Sequence, residues 1–200
     1  MKQMMKDAAI LFAITLISGL LLGIVYQVTK DPIAKQNEKQ MQAACNEVFT
    51  EADHFEDLNA DGSTGVVLTA FPGQTIEGAK AAYDEAGTLL GYVITVTTHE
   101  GFNGDIQFMM GVKNDGTLNG ISILQASESP GLGARADEVL KPQFAGKNVA
   151  SFEYTKTGAT TDAQIDAISG ATITTNAVVN GVNAGLTYFT EVLGGGSSNE

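Results

Sequence analysis

The stretch IQFMMGVKNDGTLNGISIL, residues 106–124, reads as two strands joined by a tight turn. Ile106–Lys113 and Leu118–Leu124 are the strands. Asn114-Asp115-Gly116 between them is the residue set that accepts the left-handed backbone a hairpin requires. The segment before it repeats the arrangement, with Ala79–Asp84 and Leu89–Thr98 flanking a glycine-containing turn at Gly87. Two such pairs predict an antiparallel sheet of at least four strands. A short helix is expected around Asp137–Phe144. A long one is expected from about Asn176 to Leu193, where Val178, Val182, Leu186, Phe189 and Leu193 fall on one face. The class is α+β, a mainly antiparallel sheet closed by a carboxy-terminal helix.

Outward toward the amino terminus, Ala8–Val28 is an uncharged run, AAILFAITLISGLLLGIVYQV. As a helix it spans roughly 30 Å, the thickness of a bilayer's hydrocarbon core. Lys2 and Lys6 precede it, Lys30 follows it, and Tyr26 suits the interface. A cleaved signal peptide is the rival reading, but the run is long for one and no small-x-small site follows before Lys30. A retained single-span anchor is therefore expected. Gly19 and Gly23 either seat a second membrane helix or are two glycines of the kind common in such spans. Asp31-Pro32 reads as an N-cap with proline at the first helical position. A stalk helix with an apolar stripe of Met41, Ala44, Cys45 and Val48 then runs to about Phe49.

Charge and cysteine content narrow the function. Residues 41–200 carry 20 acidic against six basic side chains, a net of −14. So acidic a globule repels nucleic acid, which excludes that partner. Cys45 is the only cysteine, and His54 and His99 are the only histidines. Neither a four-thiolate iron–sulfur centre nor an attached haem can be built from this chain alone. No metal site is expected, and redox chemistry here would need an organic cofactor. Asp57, Asn59, Asp61 and Gly62 open like a calcium loop, but Leu68 stands where the bidentate glutamate belongs, so a solvated loop is expected.

Two constellations remain. Asp166-Ala167-Ile168-Ser169-Gly170-Ala171-Thr172 lies just before the last helix, with Thr174 or Thr175 as expected caps. A tight turn with a helix cap would explain it. So would a phosphate site, since small residues admit a bulky group and a helix N-terminus attracts an anion. Thr157-Gly158-Ala159-Thr160 echoes the core of the motif. It has Tyr154 in place of the aspartate, and no apolar helix follows it promptly. Glu128-Ser129-Pro130-Gly131-Leu132-Gly133 follows a strand and forms either an ordinary turn or an open backbone able to lie against a ring system. Arg135 meets an anion bidentately or balances the acidic surface.

In this order, anchor, hairpins, Glu-Ser-Pro-Gly-Leu-Gly, Asp-Ala-Ile-Ser-Gly-Ala-Thr and terminal helix, the chain resembles the FMN-binding domain family. Within that family it is most similar to the G subunits of Rnf-type ion-translocating ferredoxin:NAD oxidoreductase complexes. The C subunits of sodium-pumping NADH:quinone reductases share the architecture. The family often has histidine where this chain has Ala126 and threonine where it has Ser129. The resemblance implies FMN attached through its phosphate to Thr172, with Ser169, Gly170 and Ala171 shaping the turn. It implies that Asp166 belongs to the signature read by a flavin transferase, which draws the FMN from FAD. It also places Glu128, Ser129, Pro130, Gly131, Leu132 and Gly133 near the flavin.

The implied organisation is a cytoplasmic tail and anchor over 1–30, a stalk and connecting region over 31–78, an FMN-binding domain over 79–193 and a disordered tail over 194–200. The globule would face the extracytoplasmic side, against the weak lean of Lys30, Lys35 and Lys39 over Lys2 and Lys6. The chain would be a redox component that works with other membrane and redox subunits of its complex and turns nothing over alone; no catalytic residue is assigned. The alternatives are a non-redox ligand- or peptide-binding module and an FMN-bearing component of another membrane complex.

Overall fold

The computed structural model describes residues 2–58, 66–128 and 135–194. Two compact units divide the chain, Met1–Met41 and Gln42–Glu200. The described residues of the first unit all belong to α1, Lys2–Val48, an unbroken helix of 47 residues. Its most apolar window has a mean hydropathy of 2.6, and none of it is buried within the chain. Among the described residues this is the one helix long and apolar enough to cross a membrane. Asp31-Pro32 does not start a new helix as expected, for Pro32 lies inside α1. The proline removes one backbone hydrogen bond, a loss of about 3 kcal/mol. Strong helix formers on its carboxy-terminal side, Ala34 through Gln42, carry the helix through.

The second unit is built on a five-stranded antiparallel sheet in the order β1-β2-β3-β4-β5. Its strands are β1 His54–Asp57, β2 Gln74–Tyr83, β3 Leu89–Thr98, β4 Ile106–Lys113 and β5 Leu118–Ala126. Two one-turn helices follow, α2 Ala136–Val139 and α3 Lys141–Phe144, where one short helix was expected. A parallel pair comes next, β6 Glu153–Thr155 with β7 Gln164–Asp166, and the unit ends in α4, Thr172–Glu191. The Asn114-Asp115-Gly116 turn joins β4 to β5, with the Thr117 N–H donating to Asp115 Oδ1 at 2.9 Å. β2 begins five residues before the expected Ala79 because its first half pairs with the end of β3, Gln74 opposite Thr98. A register shift between Ile76 and Gly78 hides the alternation there. β1 is a short edge strand too polar to be read from its sequence.

Both faces of the sheet are covered, and β4 shows it most clearly. Phe108, Met110 and Val112 join the core under α4 together with Ile94, Val96, Val178, Val182 and Phe189. Met109, on the opposite face, packs with Val93, Ala44, Cys45, Val48 and Phe49 at the end of α1. That is why β4 reads as a nearly continuous apolar run. On one face Gly181 and Gly185, one helical turn apart, bring α4 down onto β4. A Cβ on Gly181 would lie 2.9 Å from the Phe108 ring, and one on Gly185 would lie 2.1 Å from Met110 Sδ. Gly111 does the same on the other face, where a Cβ would meet the Val48 backbone oxygen at 2.9 Å.

Polar contacts complete the docking of residues 44–49 within this unit. The Asn119 amide donates to the Val48 carbonyl, closing a helix end that has no intrahelical partner. Glu47 accepts from the Ser122 hydroxyl at 2.5 Å and pairs with Lys141. Cys45 is a buried packing residue whose Sγ lies 3.7 Å from Met109 Sδ, and burial pushes its thiol pKa up.

Partial burial works against the charged Glu47, but the Lys141 and Ser122 hydrogen bonds outweigh it and hold its carboxyl below the usual value. A carboxyl lowered on folding adds stability above its unfolded value, about 4.3 for glutamate, and loses it as pH falls through the folded value. Glu47→Gln should therefore lower the urea midpoint at pH 7. The gap from the parent should narrow steadily below about pH 4, and a gap that stays constant down to pH 3 would show that the carboxylate is not the stabilising form.

Candidate functional site: the first turn of the terminal helix

α4 starts at Thr172, four residues before the expected Asn176. The cap position is Ala171, which offers no side-chain hydrogen bond. Thr174 and Thr175 are therefore not caps but buried residues of the first turn. Thr175 Oγ1 donates to the Ala171 carbonyl at 3.0 Å and accepts from the Ile168 N–H at 3.1 Å. The hydroxyl thus does a cap's work from inside the helix, tying the incoming turn to the first helical residues. Gly170 makes that turn with φ of +79°, a conformation costly for any residue with a Cβ. Ser169 and Gly170 are exposed, Ala171 is buried and Thr172 is half-buried at the helix mouth. The amides of Thr172, Ile173 and Thr174 precede the first intrahelical acceptor, which the Thr175 N–H finds in Ala171 at 3.0 Å. Those amides and the positive end of a 20-residue helix could receive an anion beside the Thr172 hydroxyl.

Glu128 ties this turn to the end of the sheet. The residue follows β5, is 9% exposed, and uses both carboxylate oxygens. Oε2 accepts from the Thr174 hydroxyl at 2.9 Å and Oε1 from the Phe102 N–H at 2.9 Å. A buried carboxylate is tolerable here because both bonds are charge-assisted and the helix dipole favours it. The loop between β3 and β4 is fastened a second time, by the Asn180 amide donating to Glu100 Oε2 at 2.7 Å. Phe102 and Ile173, neighbours of these bonds, are 64% and 53% exposed. Two large apolar side chains left in solvent, with a helix N-terminus that could receive an anion, could together take an aromatic ligand carrying a phosphate.

Of the expected site residues, the structure thus brings Glu128 and Thr174 together beside Thr172. Ser129, Pro130, Gly131, Leu132 and Gly133 lie outside the described residues, as do Asn59, Asp61 and Gly62. Arg135 pairs with Glu138 at 3.6 Å on the surface, the charge-balancing alternative. Sequence reasoning did not find Phe102, Glu100 or Asn180; a phenylalanine in the polar run His99–Asp105 was the available signal. The echo motif is told apart by geometry too. Thr160 is exposed, heads no helix, and spends both its N–H and its hydroxyl on Gln164 Oε1, at 3.0 and 2.9 Å.

The family model of the FMN-binding domain matches residues 101–187, which run from the β3–β4 loop through most of α4. A second family model, the RnfG N-terminal region, matches residues 1–48. The chain belongs to the family of Rnf-type complex G subunits. It is 30% identical to the G subunit of the Na(+)-translocating ferredoxin:NAD(+) oxidoreductase complex of Acetobacterium woodii, over 94% of this chain and 92% of that one. The G subunit of the proton-translocating ferredoxin:NAD(+) oxidoreductase complex of Clostridium ljungdahlii is also 30% identical, over 95% and 97%. In fold, the chain is like the crystal structure of Shewanella oneidensis NqrC, with a TM-score of 0.50 at 19% identity. That likeness covers 68% of this chain and 65% of the other.

Glu128→Ala would leave the Thr174 hydroxyl and the Phe102 amide without their buried partner, a loss of about 1–3 kcal/mol. Chemical denaturation of the flavin-free protein should show this as a lower midpoint, with Glu128→Gln intermediate. Equal midpoints for Glu128→Ala and the parent would show that the carboxylate does not hold the helix mouth.

Proposed function

We propose that this chain is the membrane-anchored, FMN-bearing electron-transfer subunit of an Rnf-type ion-translocating complex, with FMN joined through its phosphate to the Thr172 hydroxyl. The carrying observation is the start of α4 at Thr172, which sets that hydroxyl, the first-turn amides and a +79° Gly170 together at an accessible helix mouth. Bound there, FMN accepts and passes on electrons, singly or in pairs. The chain's residues hold and orient it. The amides of Thr172 to Thr174 balance the phosphate charge, Phe102 and Ile173 offer apolar surface, and Glu128 braces the first turn against the sheet. Ser169, Gly170 and Ala171 keep bulk away from the attachment point, while Thr174 and Thr175 shape the turn from within.

The other membrane and redox subunits of the complex supply and take the electrons and move the ion, so the chain alone completes no turnover. The complexes to which the named relatives belong differ in the ion they translocate, sodium in one and proton in the other, as expected if coupling resides elsewhere in the complex. The family assignment speaks against the non-redox binding module. α1 anchors the chain in the lipid bilayer, and residues 42–200 face the extracytoplasmic side.

Co-expressed with a flavin transferase, the protein should show an intact mass increased by one FMN and yellow fluorescence that survives denaturing electrophoresis. Thr172→Ala should abolish both. Flavin kept in that variant but lost in Thr160→Ala would sink the assignment. For orientation, protease added to intact spheroplasts should digest residues 42–200, and their protection would place them in the cytoplasm.

A further inference from the structure

The loop between β3 and β4, residues 99–105, reaches α4 twice. Glu100 Oε2 accepts from the Asn180 amide, and the Phe102 N–H donates to Glu128, which accepts in turn from the Thr174 hydroxyl. The shape of this loop therefore bears on Phe102 and on the first turn of α4 together. The pairing of β3 with β4 ends at Thr98 opposite Ile106. His99 and Asp105 are the next pair outward, and their side chains close the neck of the loop. His99 Nδ1 lies 2.9 Å from Asp105 Oδ1, and Nε2 lies 3.1 Å from the Thr75 hydroxyl on β2. The His99 N–H donates to the Gly73 carbonyl at 2.9 Å, which fixes the backbone whatever the ring does.

This pair answers to pH. An ionised carboxylate only accepts, so Nδ1 carries a proton and Nε2 is the nitrogen that gains or loses one. With Nε2 bare, the ring accepts from Thr75 and donates to Asp105 as a neutral group. With Nε2 protonated, it donates to Thr75 instead, and the contact with Asp105 becomes an ion pair, charged on both sides. Histidine is the side chain whose charge changes between about pH 5 and pH 8. Among the described residues the ring faces one carboxylate, Asp105, and one neutral hydroxyl, Thr75, while the neighbouring Glu100 carboxylate is taken by Asn180. The side chains of His99 and Asp105 are 47% and 59% exposed, so the gain is that of a surface ion pair, a factor of up to about five in an equilibrium. His54, the other histidine, pairs instead with its neighbour Asp53 at the start of β1.

We infer that His99 is a positioning residue for the flavin: its protonation tightens the neck of the β3–β4 loop and so sets how firmly Phe102 is tied to the first turn of α4. This rests on FMN being attached at Thr172. The closed neck favours the protonated ring, so the loop tightens as pH falls through the histidine range and loosens as pH rises through it.

The test compares the full-length protein, flavin-free and loaded with FMN by co-expression with a flavin transferase, at about pH 5 and about pH 8. Hydrogen exchange of the Phe102 amide, referred to the intrinsic rate at each pH, should be about two- to fivefold slower at the lower pH. The anisotropy of the flavin emission should rise with that protection. His99→Gln can still donate to Asp105 but takes no charge, and should abolish both changes. Asp105→Asn should do the same, and His54→Gln should keep both. Equal protection at the two pH values in the parent, a change that survives in His99→Gln, or protection that changes while the anisotropy stays constant would each overturn the inference. A parent protein that acquires no FMN would instead overturn the Thr172 reading, while Phe102 exchange in the flavin-free protein still decides whether His99 closes the neck.

Discussion

Burial of β4 on both faces is the constraint from which the rest of the second unit follows. A strand covered on one side needs one partner layer, whereas β4 needs two, and they come from distant parts of the chain. α4 supplies one layer and residues 44–49 the other. Because Phe108 and Met110 seat Gly181 and Gly185 of α4, the helix cannot slide along the sheet without opening a cavity or a clash. Its first turn is thereby placed, and with it Thr172.

On that frame the site is held by polar bonds of long sequence reach. Glu128 joins the end of β5 to Thr174 and to the β3–β4 loop, and Glu100 joins the same loop to Asn180. Each bond spans elements that packing has already brought near, so each adds definition more than cohesion. A flavin joined to Thr172 as proposed would need that definition. A phosphodiester to one threonine would leave several rotatable bonds, and the position of the ring would depend on how firmly the first turn of α4 is held. A rigid first turn would also keep its amides aimed at a phosphate bound there as proposed, with no need to reorganise when the charge on the ligand changes.

Much of this was legible in the sequence, and the misses have physical causes. The β4–β5 hairpin announced itself through Asn114-Asp115-Gly116, and α4 through its apolar face, because both signals are local. The start of α4 was misplaced because threonines usually cap from outside the helix, while here Thr175 caps from within and Ala171 takes the cap position without a side-chain bond. β1 and the first half of β2 were missed because pairing, not propensity, makes them strands. Glu128 was singled out for its loop, but its carboxylate serves the helix. Phe102 and Glu100 were passed over because nothing in their neighbourhood of sequence says that they tie to α4, Phe102 through Glu128 and Glu100 through Asn180.

The sequence by itself determined the membrane-length apolar helix, the antiparallel hairpins, the exclusion of a four-thiolate iron–sulfur centre or an attached haem built from this chain alone, and the single complete occurrence of the seven-residue motif, at Asp166–Thr172. These are matters of composition, period and motif, complete within a few residues. Tertiary structure alone decided that the Thr172 hydroxyl opens the helix, that Glu128 rather than a cap residue steadies the first turn, and that Asp166 holds the echo loop instead of facing the threonine. Those outcomes depend on which oxygen reaches which donor across 7 to 46 residues of chain. Packing of α4 on β4 sets the longer of these, and the bonds of the Asp166 N–H to Gln143 and of the Ala167 N–H to Thr155 set the shorter.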